Sequence, residues 1–127
     1  MKYLSDYIEQ SQTELFKKTG TFFAFSTKQY DEQANKKIEY IQMGGGMITP
    51  TENVKEVIET MHQIIQDGMD QDIKENGHQA IILRELQNHE AFYTNDTEET
   101  IEALKDYPGI TKQDITKVYR QRWNEIR

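Results

Sequence analysis

The sequence predicts a helix-rich α+β fold, a single domain over residues 1–127 with a small two- or three-stranded sheet in its N-terminal half. Two observations predict this class. Apolar residues recur at the i, i+3, i+4 spacing of amphipathic helices along most of the chain, and the two short segments with strand character, residues 21–26 and 38–43, both lie before residue 50. At 127 residues the chain is long enough to bury a core as one domain.

An amphipathic helix is predicted over residues 3–18, and Gly20 can end it in a left-handed conformation. The next segment, TFFAFS, is apolar on both faces, as expected of a short buried strand. We therefore expect Phe22, Phe23 and Phe25 to be buried, so that replacing any one of them with alanine lowers the free energy of unfolding by about 3–5 kcal/mol.

A capping signal predicts the next helix, over residues 27–36. Ser26 can accept the first hydrogen bond at its start, and Gln29 stands at the matching position three residues later. This helix leads into the second predicted strand, residues 38–43.

Three consecutive glycines, Gly44, Gly45 and Gly46, follow the second strand. A glycine-rich loop before a helix can present backbone N–H groups to a ligand, although neither G-x-x-x-x-G-K-[ST] nor G-x-G-x-x-G is present. The alternative is a turn that joins strand 38–43 to a short partner at 47–49, because glycine accepts positive φ without steric cost. Both interpretations stay open, and the three glycines are candidate ligand-binding residues.

A long helix is predicted after the glycines. Thr49 as N-cap, Pro50 as first helical residue and Glu52 form a capping box. The apolar stripe that follows predicts a helix to about Gln66; it consists of Val54, Val57, Ile58, Met61, Ile64 and Ile65. The pattern leaves open whether the helix continues to the stop signal at Asn76-Gly77.

The C-terminal half is predicted to be helical. Residues 78–93 favour a helix, but their apolar core AIIL (80–83) is too short for periodicity to exclude a strand. Asp96 begins the next helix, which ends before Pro108, and Thr111 caps the last one.

Composition excludes several classes of protein. The chain has no cysteine, which excludes disulfides and thiolate metal sites and fits a reducing compartment. Its first 16 residues carry charges and no apolar run, unlike a signal peptide, and no segment approaches the ~20 apolar residues of a membrane span. We expect a cytoplasmic protein without membrane contact.

The net charge of −7 argues against general nucleic-acid binding, which depends on clustered lysine and arginine. Residues 52–75 hold seven acidic side chains against two lysines, and Glu52, Glu56 and Glu59 share one side of the predicted helix. These three form a candidate surface for a basic partner; the alternative is an ordinary solvated helix face.

The last helix is basic by contrast, since residues 111–127 hold five bases against two acids. Arg120, Arg122 and Trp123 could grip phosphates and stack on bases, or Trp123 could anchor an interface. A solvated face whose C-terminal cations favour the helix dipole explains the same residues.

Glu85 and His89 are spaced i, i+4 on a predicted helix, with Glu90 beside them. Such a pair could bind zinc, but a catalytic zinc needs a third protein ligand, and His62 and His78 stand at no recognisable spacing from the pair. We predict a structural Glu–His pair, no metal and no cofactor. No nucleophile or carboxylate pair is marked as catalytic, which favours a non-enzymatic protein.

Three stretches taken together, TGTFFAFSTKQYDEQ, MGGGMITPTENVKEVI and QDIKENGHQAIILRELQNHEAFYT, resemble a family of small uncharacterised proteins of bacteriophages, prophages and gut bacteria. The resemblance covers roughly residues 19–105. It implies a phage or mobile-element accessory protein and transfers no functional residue.

The sequence therefore predicts a non-enzymatic protein that acts through an unidentified protein partner. The alternative is a small-molecule-binding protein or small enzyme that uses the glycine loop with Glu85, His89 and Glu90. A third hypothesis is nucleic-acid binding through the basic C-terminal helix, and a homo-oligomer is left open.

Overall fold

The computed structural model describes residues 1–126 and divides into two compact units, residues 1–68 and the chain from Met69 onward. The helix-rich α+β class is confirmed, because helices dominate and one small antiparallel sheet lies in the N-terminal half. That a single domain spans residues 1–127 stays a prediction.

The first unit contains two helices, three short strands and most of a long third helix. In chain order its elements are α1 (Leu4–Thr19), β1 (Phe22–Phe23), α2 (Thr27–Gln33), β2 (Tyr40–Gln42), β3 (Met47–Pro50), a 3₁₀ turn (Thr51–Asn53) and α3 (Val54–Asn76). The helices predicted over 3–18 and 27–36 and the strand predicted over 38–43 are confirmed, with shorter bounds for the latter two. The long helix continues through Gly68 and ends where Gly77 takes a φ of 79°.

The sheet has the order β1-β3-β2, and both pairings are antiparallel. Its register places Phe23 opposite Met47 and Ile41 opposite Thr49. The hairpin of β2 and β3 is the one predicted for a glycine turn, and that prediction is confirmed.

The prediction that TFFAFS forms a buried strand is wrong for most of the segment. β1 spans only Phe22–Phe23, the Phe23 side chain is 43% exposed, and Phe25 is 75% exposed. The Ala24 N–H donates to the Gly46 carbonyl (2.9 Å), and the chain then turns into α2. Phe25 therefore lies in a connection, where no second layer covers its ring.

The capping box predicted from Thr49, Pro50 and Glu52 is also wrong. Thr49 lies in β3, is fully buried, and shares a hydrogen bond between its hydroxyl and that of Thr21 (3.2 Å). Pairing with Ile41 continues the strand to Pro50, so the chain becomes helical only in the 3₁₀ turn before α3.

The apolar stripe predicted for α3 is only partly covered. Val57 is fully buried, whereas Ile58 is 55% exposed. Adjacent residues of a helix point about 100° apart, so Val57 and Ile58 face different directions and the buried face of α3 is narrower than the predicted apolar stripe.

The second unit is helical. It holds the end of α3 and then α4 (His78–Asn88), α5 (Ala91–Thr94), α6 (Glu98–Leu104) and α7 (Lys112–Ile126). The segment AIIL (80–83), whose pattern allowed either a helix or a strand, lies inside α4 and is helical. The helix predicted through Tyr93 instead breaks at Glu90, whose φ is 55°. Tyr93 is consequently 88% exposed, while Ile82 and Leu86 are buried.

The capping signal predicted for α7 is confirmed in both directions. The Asp114 N–H donates to the Thr111 hydroxyl (3.1 Å), and the Thr111 N–H donates to the Asp114 carboxylate (2.9 Å). The backbone hydrogen bond from Thr111 holds the pKa of the Asp114 carboxyl below its usual range.

Candidate functional site

The glycine loop is the turn of the β2–β3 hairpin. The Met43 N–H donates to the Met47 carbonyl (2.8 Å), and the Met47 N–H donates to the Gly44 carbonyl (3.0 Å). Gly44, Gly45 and Gly46 have φ values of 93°, 59° and 80°. Side chains disfavour this left-handed region, so the turn conformation by itself explains three glycines in a row.

Phe25 lies against this turn. A Cβ atom placed on Gly46 would come within 2.4 Å of Cε1 of the Phe25 ring, so a side chain at this position would displace the ring in addition to straining the backbone φ. The adjoining hydrogen bond from Ala24 to Gly46 holds the same two segments together. The Phe25 ring is exposed, yet it has a defined contact with the turn.

A half-open cavity of about 590 Å³ lies between the glycine turn and the start of α2. Rings of Phe25 and Tyr30 line it, together with the polar side chains of Ser26 and Gln42 and the backbone of the turn. None of the described residues that line this cavity has a charged side chain. That the three glycines bind a ligand stays a prediction, and this cavity is where such a ligand would lie.

The backbone hydrogen bonds between β2 and β3 involve every second residue of β2 and its flanks. The Met43 N–H bonds to Met47, and the Thr51 N–H donates to the Glu39 carbonyl (2.9 Å). In an antiparallel pair the bonded residues alternate, so Ile41 is the bonded residue between them.

The residues on either side of Ile41 therefore direct their backbone groups away from β3. These are Tyr40 and Gln42, and β2 is an edge strand, so no strand of the described chain pairs with them. Ile41 is 42% exposed and Ile38, just before the strand, is 40% exposed. The outer edge of β2 is an open hydrogen-bonding edge with apolar side chains beside it.

The opposite edge of the sheet is blocked. Gln33 of α2 donates from its side-chain amide to the Phe23 carbonyl of β1 (2.9 Å). The two edges thus differ, since one is occupied by the protein's own side chain and the other is open.

The acidic face of α3 is partly neutralised within the first unit. Glu56 forms an ion pair with Lys18 (2.8 Å), and Glu59 lies 3.9 Å from Lys55. Glu52 is exposed in the 3₁₀ turn. Exposed pairs of this kind contribute little to stability, and the role of the three glutamates as a docking surface stays a prediction.

Glu85 and His89 meet as the spacing predicts, but loosely. His89 Nε2 lies 3.9 Å from Glu85, while His89 Nδ1 lies 3.3 Å from Glu99 of α6. The Glu85 carboxylate is engaged by Arg84 Nε (2.7 Å), and Glu90 forms the left-handed turn after α4. No cluster of three histidine, aspartate or glutamate side chains positioned for a metal occurs among residues 1–126. Ligand binding by these residues stays a prediction.

On α7 the aromatic residues stack within their own unit. The ring of Tyr119 lies 5.3 Å from Phe92 and 6.4 Å from Trp123, both in stacked geometry, and Trp123 is half-buried. Arg122 pairs with Glu125 (3.0 Å). These contacts reduce what Trp123 and Arg122 can offer to a partner.

Arg120 remains exposed on α7, with Lys112 and Lys117 on the same side around a shallow depression. This row is the part of the predicted basic surface that is directed to solvent. A role for it, as for Arg122 and Trp123, stays a prediction.

The second unit contains a buried ionic cluster that was not predicted from the sequence. Arg84 makes two parallel hydrogen bonds to Asp72 (2.9 and 3.0 Å), Tyr107 donates its hydroxyl to the same carboxylate (2.6 Å), and Asn76 adds a third donor (2.8 Å). Asp72 is fully buried, and Arg84 and Tyr107 nearly so. All buried side-chain polar atoms in the described residues have partners, so the hydrogen bonds of the cluster are satisfied within the protein itself.

The pKa shifts in this cluster follow from burial and hydrogen bonding. Burial by itself would raise the pKa of Asp72, but the bonds from Arg84, Tyr107 and Asn76 outweigh it and lower that pKa. Burial raises the pKa of the Tyr107 hydroxyl, and its bond to Asp72 raises it further. Burial would lower the pKa of Arg84, but its bonds to carboxylates raise it. The pair is ionised at neutral pH.

One signal in the sequence marks this cluster. The apolar stripe of α3 continues through Ile65 and Met69 at helical spacing, and Asp72 occupies the next position of that stripe. An aspartate on an apolar face implies a buried partner. The pattern does not say which cation supplies it.

Helices, a small sheet, an open strand edge and an uncharged cavity define a helix-rich α+β protein with two candidate binding sites in its first unit. The chain belongs to a family of unknown function, DUF7659, whose model matches residues 4–125. No curated protein and no solved structure matches the chain. Among residues 1–126, every helix is too short or too polar to cross a membrane.

Proposed function

We propose that this protein is a non-enzymatic accessory protein of a bacteriophage, prophage or related mobile element, and that it acts by binding another protein. The observation that carries the proposal is the open edge of β2, where Tyr40 and Gln42 direct unpaired backbone groups outward beside the exposed Ile41. The mobile-element assignment is supported by the three stretches that resemble phage and prophage proteins.

An open strand edge favours pairing with another extended segment. Proteins that do not use such an edge commonly block it with lysine, proline, a bulge or a covering side chain. β2 has the sequence Tyr-Ile-Gln, without charge or proline, whereas the β1 edge is blocked by Gln33. A partner strand would bond to the outward groups and place an apolar side chain against Ile41.

The partner is therefore expected to contribute an extended segment with an apolar residue at its centre. Main-chain bonding supplies affinity in this mode, and side-chain contacts supply specificity. Ile38 widens the apolar surface at one end of the strand. The acidic side chains Glu52 and Glu59 then favour a partner with basic residues outside that segment.

The test is affinity capture of the tagged protein from a bacterial lysate, half of it treated with nuclease, with mass spectrometry of the bound material. The key variant is Ile41→Lys, which places a charge at the edge without removing a ladder bond. Ile58→Lys is the matched control, since Ile58 is equally an exposed isoleucine of the first unit but lies on α3.

We expect a nuclease-resistant protein that is retained by the wild type and by Ile58→Lys and lost by Ile41→Lys. Retention by Ile41→Lys would exclude the β2 edge as the binding site. Loss of bound material after nuclease would overturn the proposal and direct attention to the row of Lys112, Lys117 and Arg120. Capture of no protein at all would also contradict it.

A further inference from the structure

We propose that the cavity beside the glycine turn binds an uncharged small molecule with a flat aromatic or heteroaromatic ring. This inference goes beyond the proposed protein-binding function and does not depend on it. The strand edge would use the backbone of Gln42 and the side chain of Ile41, whereas the Gln42 side chain lines the cavity and Ile41 does not.

The size and shape of the cavity fit such a ligand. Its volume of about 590 Å³ lies within the roughly 300–1,000 Å³ of small-molecule sites. Ala24 and Met47 form its apolar part beside the aromatic rings, and the glycine turn forms one wall. A Cβ atom on Gly44 or Gly45 would meet nothing within 4 Å, so the backbone of this wall is open to an approaching ligand.

The charge of the lining selects neutral ligands. Within the described chain, the cavity wall includes neither a lysine or arginine nor an aspartate or glutamate. An ion that left water for this cavity would find no opposite charge to replace its hydration. Phosphorylated or carboxylated compounds are therefore disfavoured in comparison with neutral compounds of the same shape.

The aromatic residues favour a ring. Phe25 is 75% exposed while its ring contacts Gly46, so a large apolar surface is presented beside the cavity from a defined position. Tyr30 lies on the α2 side and packs against Phe22 and Tyr40 behind it, with ring centroids 6.1 and 6.0 Å away. A flat ligand could stack on Phe25 and cover surface that the protein itself leaves exposed.

The polar groups provide hydrogen bonds for orientation. Gln42 offers an amide that both donates and accepts, and Thr27 offers a hydroxyl. The Ser26 hydroxyl accepts from the Gln29 N–H (3.2 Å), which leaves its own proton able to donate to a ligand carbonyl or ring nitrogen. Together they suit a heteroaromatic ring or amide with both donors and acceptors.

The experiment is a titration of the full-length protein with adenosine, nicotinamide and indole. Binding is measured by changes in amide chemical shifts and by saturation-transfer NMR. Adenosine monophosphate and nicotinate are the charged counterparts of the first two probes. We expect at least one neutral probe to bind with a Kd near or below about 1 mM, to shift amides in residues 24–30 and 42–48, and to bind about tenfold more tightly than its charged counterpart.

Variants locate the site. Phe25→Ala is expected to weaken binding by about tenfold, since it removes the stacking surface, while its exposed ring contributes little to the fold. Tyr93→Ala is the matched control, because Tyr93 is an equally exposed aromatic residue in the second unit. Ile41→Lys should leave probe binding unchanged, which separates this site from the strand edge.

Three results would overturn the proposal. The first is that no neutral probe binds at concentrations several times the expected Kd of about 1 mM. The second is equal affinity for neutral and charged counterparts. The third is binding that Phe25→Ala and Tyr93→Ala affect alike.

Discussion

The two units of this protein place their apolar residues differently. Among residues 1–126, three of the 12 buried apolar residues lie in the first unit and nine in the second, whereas seven of the nine large exposed apolar side chains lie in the first. The second unit therefore buries or half-buries most of its large apolar residues. The first unit leaves apolar surface at the β2 edge and at Phe25, which is where both proposed binding sites lie.

The units also differ in how they accommodate buried polar groups. The first unit links the neutral hydroxyls of Thr19, Thr21 and Thr49 in a short chain (2.8 and 3.2 Å). The second unit buries the charges of Asp72 and Arg84. Removing one member of a neutral chain leaves a weak donor or acceptor, but removing one member of an ion pair leaves a buried charge. The comparison thus predicts unequal sensitivity to substitution and to pH.

The largest effect is expected for Arg84→Met. It leaves the Asp72 carboxylate buried without its cation, so we expect the free energy of unfolding to fall by about 3–5 kcal/mol in urea denaturation at neutral pH. The double variant Arg84→Met, Asp72→Leu removes both charges of the pair and should recover part of this loss, while the half-buried Glu85 carboxylate still loses its bond from Arg84. A single-variant loss below about 1 kcal/mol would show that the ion pair does not stabilise the second unit.

Tyr107→Phe is expected to cost less, about 1.5–3 kcal/mol, because it removes one hydrogen bond to a charged carboxylate and leaves the ring in place. Tyr93→Phe makes the same chemical change at a side chain that is 88% exposed, and should leave the free energy of unfolding unchanged. Equal effects of the two substitutions in urea denaturation would contradict the assigned role of the Tyr107 hydroxyl.

The ion pair also predicts an acid dependence. The pKa of Asp72 is lower in the folded protein than its unfolded value of about 3.9, so the folded state binds fewer protons near that pH. Its stabilisation is complete above the unfolded pKa and is lost as the pH falls through the folded pKa. Free energies of unfolding measured from pH 6 downward should therefore decline more steeply below about pH 4 in the wild type than in Asp72→Asn. If the free energies of unfolding of the two proteins decline in parallel with pH, ionisation of Asp72 is not the source of the acid dependence.

Thr49→Val tests the neutral chain of the first unit. The substitution keeps the shape and removes the 3.2 Å bond to Thr21, which keeps its bond to Thr19, so a cost of about 1 kcal/mol is expected. Because no charge is involved, the cost measured by urea denaturation should be the same at neutral and acid pH. A pH-dependent cost would remove the contrast between the two units.

The smallest effect is expected for Phe25→Ala, about 1 kcal/mol or less, since the ring is already 75% exposed. Phe22→Ala is the informative comparison, because the half-buried Phe22 ring packs against Tyr30 and Tyr40. Thermal and urea denaturation should rank Phe22→Ala as clearly more destabilising. The reverse order would mean that Phe25 belongs to the core, as TFFAFS alone suggested.

Local signals predicted the elements that depend on neighbouring residues. Ser26 accepts from the Gln29 N–H as the capping pattern indicated, Thr111 and Asp114 cap α7, and the glycines form the hairpin turn. Each of these features involves residues within a few positions of one another. Their free energy is set by the local backbone, which the sequence displays directly.

Where the structure of a residue depends on a distant partner, the local signal predicts the wrong element. Thr49 looks like a helix cap, but pairing with Ile41 makes it a strand residue. The candidate sites also depend on distant partners. The sequence pointed to the glycines, but it did not show that Phe25 and Tyr30 line a cavity with them. It also did not show that the edge of the sheet at Ile41 is open. Which apolar residues are covered depends on which elements stack, and no spacing within one segment contains that information.

By itself, the sequence determined the α+β class, most element positions and the need for glycine in the turn, because helix periodicity, capping and positive φ act over a few residues. Only the tertiary structure decided that Asp72 pairs with Arg84, that Phe25 stays exposed against Gly46, and that one edge of the sheet is blocked while the other is open. Those outcomes follow from contacts between residues far apart in the chain, where burial and pairing outweigh local preference.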